Sequence, residues 1–170
     1  REFSGTLLAG LWGRSMAQTA GPLNEALETG ILLEPAQGEY RFSHVLLREV
    51  LHRDMADERR SALHLTAAAL LERRRAGAAL WSEVAHHFLE AGPSGRDGAV
   101  DACGQAAEHA KSQFAFADAC QWYTRALSAL GQDPTADLSR RGELLCSLAD
   151  AELQSGAIAS GKQTCRRAAE

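Results

Sequence analysis

Apolar residues recur every three or four positions along most of the chain, with polar and charged residues between them. This spacing places the apolar side chains on one face of a helix, as in amphipathic α-helices. Helix formers such as Ala, Leu, Arg and Glu also dominate the composition. The pattern therefore predicts a mainly all-α protein, with one exception near the N-terminus.

That exception is a pair of short apolar and aromatic runs at residues 31–33 and 40–42. Between them lies a turn-forming segment that contains Pro35 and Gly38. Two such runs on either side of a turn predict a small β-hairpin.

The helices around this hairpin complete a recognisable outline. Two helical patterns precede it, at about residues 3–12 and 22–29, and a third helix follows, with Ser43 as its predicted N-cap and an end near Asp54. Two helices, a two-stranded wing and a further helix make the outline of a winged-helix-like domain. We assign this domain to residues 1–56.

The helix after the hairpin is predicted to have two different faces. One face carries Leu47, Val50 and Leu51, and another carries His44, Arg48 and His52. The second face forms a basic stripe.

Residues 57–92 are predicted to be linking helices. Asp57 is expected to cap a helix that reaches about Arg75. The predicted buried stripe of this helix consists of Leu63, Ala67, Leu70 and Leu71. The apolar face of the next helix consists of Trp81, Val84, Ala85 and Phe88. The glycine-rich loop at residues 92–98 then predicts a domain boundary.

Residues 93–170 are predicted to form an incomplete array of helix pairs. The first pair covers residues 99–113 and 116–130, and the second covers about 137–155 and 157–170, at an offset of about 42 residues. Phe114 and Gly156 occupy the same inter-helix turn in the two pairs. Small residues recur at matching positions around these turns, namely Ala107 with Ala149, Ala119 with Gly161, and Ala126 with Ala168. Small residues let helices approach closely, which indicates an α-solenoid.

The segment FADACQWYTRAL, residues 116–127, resembles the second helix of a tetratricopeptide repeat. Its Ala119, Tyr123 and Ala126 lie where that family has a small, an aromatic and a small residue. Ala110 replaces the usual aromatic of the first helix, and Pro134 falls later than the closing proline of that family. The helix pairs are therefore predicted to be tetratricopeptide-like.

Charge and length narrow the classes of function. The chain has 170 residues and a formal net charge of -4, and neither half has an excess of Lys and Arg over Asp and Glu. Direct nucleic-acid binding is therefore not expected, because it needs a basic surface. No apolar run approaches the roughly 20 residues that span a bilayer, so we expect a cytoplasmic protein with no membrane partner. Neither end of the sequence looks like a domain end, and we expect an internal segment of a longer protein.

No arrangement of residues points to catalysis or to a metal. Cys103, Cys120, Cys146 and Cys165 match neither a zinc pattern nor a CxxC redox pair, so we interpret them as packing residues in a reducing compartment. His86 and His87 point about 100° apart on a helix and cannot serve one ion. We therefore predict no catalytic residue, no metal ligand and no cofactor bound by these residues alone.

The segment at residues 156–164 superficially resembles a phosphate-binding loop, with Gly156, Gly161 and Lys162 at the expected spacing. A helical pattern precedes it where such a loop needs a strand, and Gln163 stands where a magnesium-binding hydroxyl is required. We therefore interpret Gly156 as a turn residue and Gly161 as a helix-packing residue.

A broader resemblance covers nearly the whole chain. Five segments carry it, namely REFSGTLLAGLW (1–12), LNEALETGILLE (23–34), YRFSHVLLREVLHRDM (40–55), RRSALHLTAAALLE (59–72) and VAHHFLEAG (84–92). Their order is similar to that in STAND-type signal-transducing ATPases of bacteria, which include large LuxR-type transcriptional activators and ATPases fused to cyclase domains. The resemblance implies an upstream ATPase domain that binds ATP or ADP, and a repeat arm that binds a protein or small-molecule inducer.

The resemblance also implies one binding site. In related NTPase switches, including plant immune receptors, a histidine at a comparable helix start contacts the β-phosphate of ADP. His44 in FSHVLL matches that histidine, whereas Val45 replaces the aspartate that follows it. His44, together with Arg48, is thus the candidate nucleotide sensor, and the alternative is a histidine that only caps or packs the winged helix.

The preferred interpretation is a non-enzymatic regulatory and interaction module of a larger ATP-dependent regulator, and the resemblance implies that this regulator controls transcription. Two alternatives remain. One is a DNA-binding winged helix with a helical dimerisation arm, which Glu25 and Glu28 in the candidate recognition helix disfavour. The other is a free-standing scaffold of helical repeats, which leaves the hairpin unexplained.

Overall fold

The structure, a computed structural model, describes residues 2–73, 80–131 and 137–169. Within these ranges the chain forms nine α-helices and one small antiparallel sheet. The mainly helical fold class with a small hairpin is therefore confirmed. The chain divides into two compact units, residues 1–70 and 71–170.

The first unit contains the sheet. Its elements are β1 (Phe3–Ser4), α1 (Gly5–Trp12), α2 (Met16–Glu28), β2 (Leu32–Ala36), β3 (Glu39–Phe42), α3 (Val45–Arg53) and most of α4 (Asp57–Arg73). Strand β3 lies in the middle and pairs antiparallel with both β1 and β2. The predicted hairpin is thus present, and β1 adds a third strand where the sequence pattern predicted only helix.

The core of the first unit lies between α2 and the sheet. Leu23 of α2 packs with Leu32 and Tyr40 of the strands, and all three are buried. Half-buried apolar side chains surround them, namely Phe3, Leu8, Ala26, Leu27 and Phe42. The pairing of Phe3 opposite Tyr40 explains β1, because it brings the two rings to 5.9 Å between centroids.

Helix α2 begins six residues before the predicted start near Pro22. Ser15 is its N-cap and forms a capping box with Gln18, in which each side chain accepts a hydrogen bond from the backbone N–H of the other residue. Thr19 is fully buried, and its hydroxyl donates to the Ser15 carbonyl at 2.9 Å. The prediction was wrong because it placed Pro22 in the first turn, whereas the helix tolerates this proline in its interior.

The next two helices start close to their predicted positions. His44, one residue after the predicted Ser43, is the N-cap of α3. Asp57 is the first residue of α4 and accepts a hydrogen bond from Arg60 at 2.6 Å. The predicted stripe of α4 is confirmed, because Ala67 and Leu71 are buried and the two other members are half-buried. The predicted end near residue 75 lies outside the described residues.

The second unit is a row of helices. It contains α5 (Trp81–Glu90), a 3-10 turn (Gly92–Gly95), α6 (Arg96–Ser112), α7 (Phe116–Leu130), α8 (Leu138–Gln154) and α9 (Ile158–Ala169). Each of these α-helices packs against the next one in sequence. The apolar face predicted for α5 is confirmed at Val84 and Ala85, which are buried.

The two predicted helix pairs are present as α6 with α7 and α8 with α9. Phe114 and Gly156 both adopt the left-handed conformation, with φ of 59° and 88°, in the matching turns. The predicted small residues lie in the helix contacts, because Ala107, Ala119 and Ala126 are fully buried. Small side chains therefore set the close spacing of these helices.

The segment at residues 92–98 differs from its prediction as a domain boundary. A Cβ on Gly95 would lie 2.2 Å from the Phe88 carbonyl oxygen, and one on Gly98 would lie 2.5 Å from the Phe88 ring. The segment is therefore packed against α5 inside the second unit, since these glycines serve close contact rather than chain flexibility.

Candidate functional site

The predicted nucleotide-sensing residues lie near the start of α3. His44 is the N-cap, is exposed, and makes no side-chain hydrogen bond to the start of the helix. Arg48 lies one turn later and is also exposed. The structure therefore places both exposed side chains near the start of α3. The capping alternative for His44 lacks the side-chain bond that would define it.

Helix α3 also leaves its apolar residues uncovered by the described part of the chain. The exposed aliphatic residues are Val45, Leu46, Leu47, Val50 and Leu51, with exposed fractions from 38% to 68%. No residue of α3 is buried. Leu47, Val50 and Leu51 share a face as predicted, but all three are exposed. A contiguous exposed apolar patch is typical of interaction surfaces.

The third residue of the predicted basic stripe has a different setting. The ring of His52 lies edge-on to the ring of His64 in α4, with 6.3 Å between centroids. His52 therefore lies beside α4, although it is exposed like His44 and Arg48.

The helix pairs form a second candidate site. A groove of about 260 Å³ runs between α6 and α8, with α7 beneath it. The residues that line it are Val100, Asp101, Gly104, Gln105, Glu108, Tyr123, Arg140, Glu143, Leu144 and Ser147. Grooves of this kind between repeated helices are the binding surfaces of solenoid proteins.

Ion pairs cross the groove near both ends. At one end Arg140 of α8 pairs with the Asp101 carboxylate and donates to the Asp97 carbonyl at 3.3 Å. At the other end Lys111 Nζ lies 3.1 Å from Asp150. Each pair joins α6 to α8 across the groove, although such exposed pairs contribute little stability individually.

Tyr123 forms the floor of the groove. It is 2% exposed, and its hydroxyl donates to the Glu108 carboxylate. Burial, and secondly the hydrogen bond and charge of Glu108, raise the pKa of the Tyr123 hydroxyl. The phenol therefore stays neutral and keeps Glu108 positioned at the edge of the groove.

The groove has a surplus of negative charge. Asp101, Glu108 and Glu143 line it together with a single cation, Arg140. The ion pairs at its two ends add Asp97, Asp150 and Lys111. The hydrogen bond from Gln154, and then the one from Lys111, lower the pKa of Asp150. Burial lowers the pKa of Lys111, but Asp150 and Glu108 together outweigh this and raise it. Both cations are therefore paired internally, and the groove favours a positively charged partner.

Sequence reasoning missed these groove carboxylates, although the repeat offset contains a signal for them. Asp101 and Glu143 are 42 residues apart, and so are Glu108 and Asp150. Acidic residues thus recur at two matching positions in both repeats, and an alignment of the repeats would have found them.

The residues that resembled a phosphate-binding loop form a helical hairpin. Gly156 follows α8, and the next helix begins two residues later, so no strand leads into the segment. Gly161 is buried, and a Cβ there would lie 2.8 Å from the Leu153 side chain and 3.3 Å from the Ala149 carbonyl oxygen. Gly156 and Gly161 are therefore a turn residue and a packing residue, as interpreted from the sequence.

The other candidate residues form no additional site. His86 and His87 are half-buried neighbours, with 5.5 Å between ring centroids. Over the described ranges, no group of three His, Cys, Asp or Glu side chains could hold a metal ion. Burial raises the pKa of the Cys103 thiol to about 11, against a smaller opposing effect of Arg125. The packing interpretation thus suits Cys103, whereas Cys146 and Cys165 are exposed free thiols.

Comparisons with protein families, with curated proteins and with solved structures give no match. The resemblances to STAND-type ATPases and to tetratricopeptide repeats therefore remain predictions from the residues that carry them. Of the helices described, none combines the length and the apolar character needed to cross a bilayer.

Proposed function

We propose that this chain is a regulatory and interaction module of a larger ATP-dependent signal-transducing regulator. The observation that carries the proposal is α3, whose aliphatic residues are all exposed beside His44 and Arg48. Exposed aliphatic side chains on a short helix are costly unless another surface covers them. An ATPase domain of the same protein would cover this helix and bring its bound nucleotide near His44.

The chemistry of α3 suits a switch that depends on nucleotide. The helix N-terminus carries partial positive charge and unpaired N–H groups, both of which attract phosphate. Arg48 adds an exposed cation four residues after His44. In this proposal the hydrolysis of ATP takes place in the other domain, and the present residues sense its product.

The test uses a longer protein that includes the residues preceding this chain. The purified protein is analysed for bound ADP or ATP by chromatography after denaturation, and ADP release is timed with a fluorescent analogue. The variants His44→Ala and Arg48→Ala should each speed ADP release about tenfold or more, as expected for the loss of a charge-assisted phosphate contact. Arg53→Ala is the matched control, because it removes an exposed arginine from the other end of α3.

Two results would contradict the proposal. The first is a longer protein that binds no nucleotide. The second is a rate of ADP release that is the same in the His44, Arg48 and Arg53 variants, since His44 would then be only a residue at the start of a helix.

A second candidate function, a scaffold for protein partners, is favoured by the acidic groove. Its surplus of carboxylates and paired cations suits a segment rich in Lys or Arg. Fluorescence anisotropy with a labelled basic peptide, and with an acidic peptide as control, tests this function. Glu143→Lys should weaken binding of the basic peptide at low salt. Equal binding of the basic and the acidic peptide to the wild type would contradict the scaffold function.

Direct DNA binding has less support. Helix α2, which would be the recognition helix, contains no Lys or Arg and exposes Glu25 and Glu28. These carboxylates would face phosphates and repel them. In the proposed regulator, DNA recognition or cyclase activity therefore belongs to a separate output domain.

A further inference from the structure

Phe114 combines two unfavourable features in the turn between α6 and α7. Its φ is 59°, a left-handed conformation that costs energy for a bulky residue. Its side chain is 81% exposed and contacts the Phe116 ring edge-on, at 6.2 Å between centroids. The matching turn of the second pair has Gly156, which adopts this conformation without strain. Neither the nucleotide proposal nor the groove accounts for a phenylalanine here.

An apolar cavity of about 350 Å³ lies at the opposite end of the same helix pair. Its lining residues are Phe88, Leu89, Gly92, Pro93, Arg96, Ala99, Ala129 and Gly131. Arg96 donates to the Leu130 carbonyl, and Arg141 donates to the Gly131 carbonyl. The polar groups at this end are therefore engaged, and the wall of the cavity is mainly hydrocarbon.

Phe114 cannot enter the cavity of its own molecule. It follows the C-terminus of α6, whereas the cavity lies at the N-terminus of α6 and the C-terminus of α7. The 17 residues of α6 separate the two features by about 25 Å, at the rise per residue of an α-helix. A contact between them must join two molecules.

We propose that Phe114 of one molecule inserts into the cavity lined by Phe88, Pro93 and Ala129 of a second copy of this chain. The contact is heterologous, since two different surfaces meet. The cavity is large enough for a phenyl ring and offers the Phe88 ring as an aromatic partner. Insertion buries the exposed ring and gives a reason for keeping phenylalanine in a left-handed turn.

The helix dipoles favour the same arrangement. At the Phe114 end, α6 presents its negative C-terminus and α7 its positive N-terminus. At the cavity end, α6 presents its N-terminus and α7 its C-terminus. When two copies stack end to end in the same orientation, both meeting pairs of helix ends are opposite in sign. The helix dipoles therefore favour a second copy stacked head to tail over one stacked head to head.

A contact built on one aromatic side chain is weak. Stable interfaces between proteins bury about 1,200–2,000 Å² in total, whereas one phenylalanine contributes about 150–250 Å². Self-association should therefore depend on concentration. A head-to-tail contact also leaves one Phe114 and one cavity free at the ends, so the assembly can grow beyond two molecules.

The first test measures sedimentation velocity between about 10 µM and 1 mM, a range suited to weak association. The weight-average mass of the wild-type chain should rise from 18.3 kDa as the concentration increases. Phe114→Gly should stay monomeric throughout, and its melting temperature should increase because glycine relieves the strained φ. Ile158→Ala, which truncates an exposed apolar residue in the first turn of α9, should associate like the wild type.

The second test restores the contact by mixing two variants that do not self-associate. Ala129→Phe fills the cavity but keeps Phe114, whereas Phe114→Gly keeps an open cavity. An equimolar mixture should form a dimer that does not grow further. The Ala129→Phe variant supplies the only Phe114 of the pair, and the Phe114→Gly variant supplies the only open cavity. Circular dichroism verifies that each variant is folded, and Ala129→Leu replaces Ala129→Phe if the larger residue prevents folding.

The inference is overturned if the wild type stays monomeric at 1 mM, or if Phe114→Gly associates as strongly as the wild type. It is also overturned if the mixed variants form no dimer. Equal loss of association in the Ile158 variant would show general adhesion of apolar residues instead. These outcomes are independent of nucleotide binding at His44.

Discussion

Gly161 offers a direct test of how closely the second helix pair is packed. In the structure a Cβ at this position would lie 2.8 Å from both Cγ and Cδ2 of Leu153, and 3.3 Å from the Ala149 carbonyl oxygen. Gly142 lies inside α8, and a Cβ there would have no atom within 4 Å. The variants Gly161→Ala and Gly142→Ala therefore add the same methyl group to a tight contact and to open space.

The expected effects have opposite signs. Replacing glycine by alanine inside a helix stabilises it by about 0.5–1 kcal/mol, which both variants gain. At Gly161 the added methyl group also displaces Leu153 and crowds a backbone carbonyl, at a cost of about 1–3 kcal/mol. Leu153 is partly exposed and can rotate outward, so the lower half of this range applies. Gly161→Ala should therefore be about 1–2 kcal/mol less stable than Gly142→Ala.

Urea denaturation followed by circular dichroism measures this difference, since the slope of the transition should be the same in both variants. In a thermal melt the two variants should differ by about 2–8 °C, at about 2–4 °C per kcal/mol for a chain of this size. If Gly161→Ala is as stable as Gly142→Ala, the close contact between α8 and α9 is wrong. The interpretation of Gly161 as a packing residue would then fail as well.

Three further predictions follow from the second unit. Tyr123→Phe should lower the free energy of unfolding by about 1 kcal/mol at pH 7, since it removes a hydrogen bond to a partly solvated carboxylate. Because the pKa of Tyr123 is raised in the folded state, the wild type should lose stability as the pH rises past about 10. The Tyr123→Phe variant should lose less stability over the same range. Urea midpoints at pH 7–11 measure both losses. Cys103, with a pKa of about 11, should stay unmodified by iodoacetamide in the native protein, whereas the exposed Cys165 should react. Peptide mass spectrometry measures both reactions. Equal rates of modification would contradict the burial of Cys103. Gly95→Ala should destabilise the protein by about 3 kcal/mol, because the new Cβ would lie 2.2 Å from the Phe88 carbonyl oxygen. A melting temperature within about 2 °C of the wild type would show that this close contact does not exist.

The helix pairs were the most predictable part of the fold. Helical spacing and the turn residues can be recognised within short stretches of sequence, and both recur after about 42 residues. The structure places α6 to α9 within about three residues of their predicted starts. Local patterns suffice here because each helix buries one face against its neighbour in sequence.

The N-terminal unit was less predictable. Strand β1 is only two residues long and exists because Phe3 pairs with Tyr40, which lies far away in the sequence. The start of α2 was missed because the pattern was placed at Pro22 and the capping box of Ser15 with Gln18 was not recognised. Non-local pairing and a tolerated interior proline leave little trace in hydrophobic spacing.

The candidate sites also have a part that the sequence could predict and a part that it could not. His44 and Arg48 were chosen from the family resemblance, and the structure places them at the N-cap of α3 and four residues later. That α3 would bury none of its aliphatic residues could not be read from its amphipathic pattern. The ion pairs of the groove, such as Arg140 with Asp101, join residues from two helices that meet only after folding.

The sequence alone therefore determined the type of each main element, the two helix pairs and the small residues between them. These features depend on backbone propensity and on the period of apolar side chains, which act over a few residues. Only the tertiary structure decided which faces stay uncovered, which charges meet across the groove, and that Phe114 and an apolar cavity lie at opposite ends of one helix pair. Those outcomes depend on packing between distant residues, because burial is a property of the whole fold.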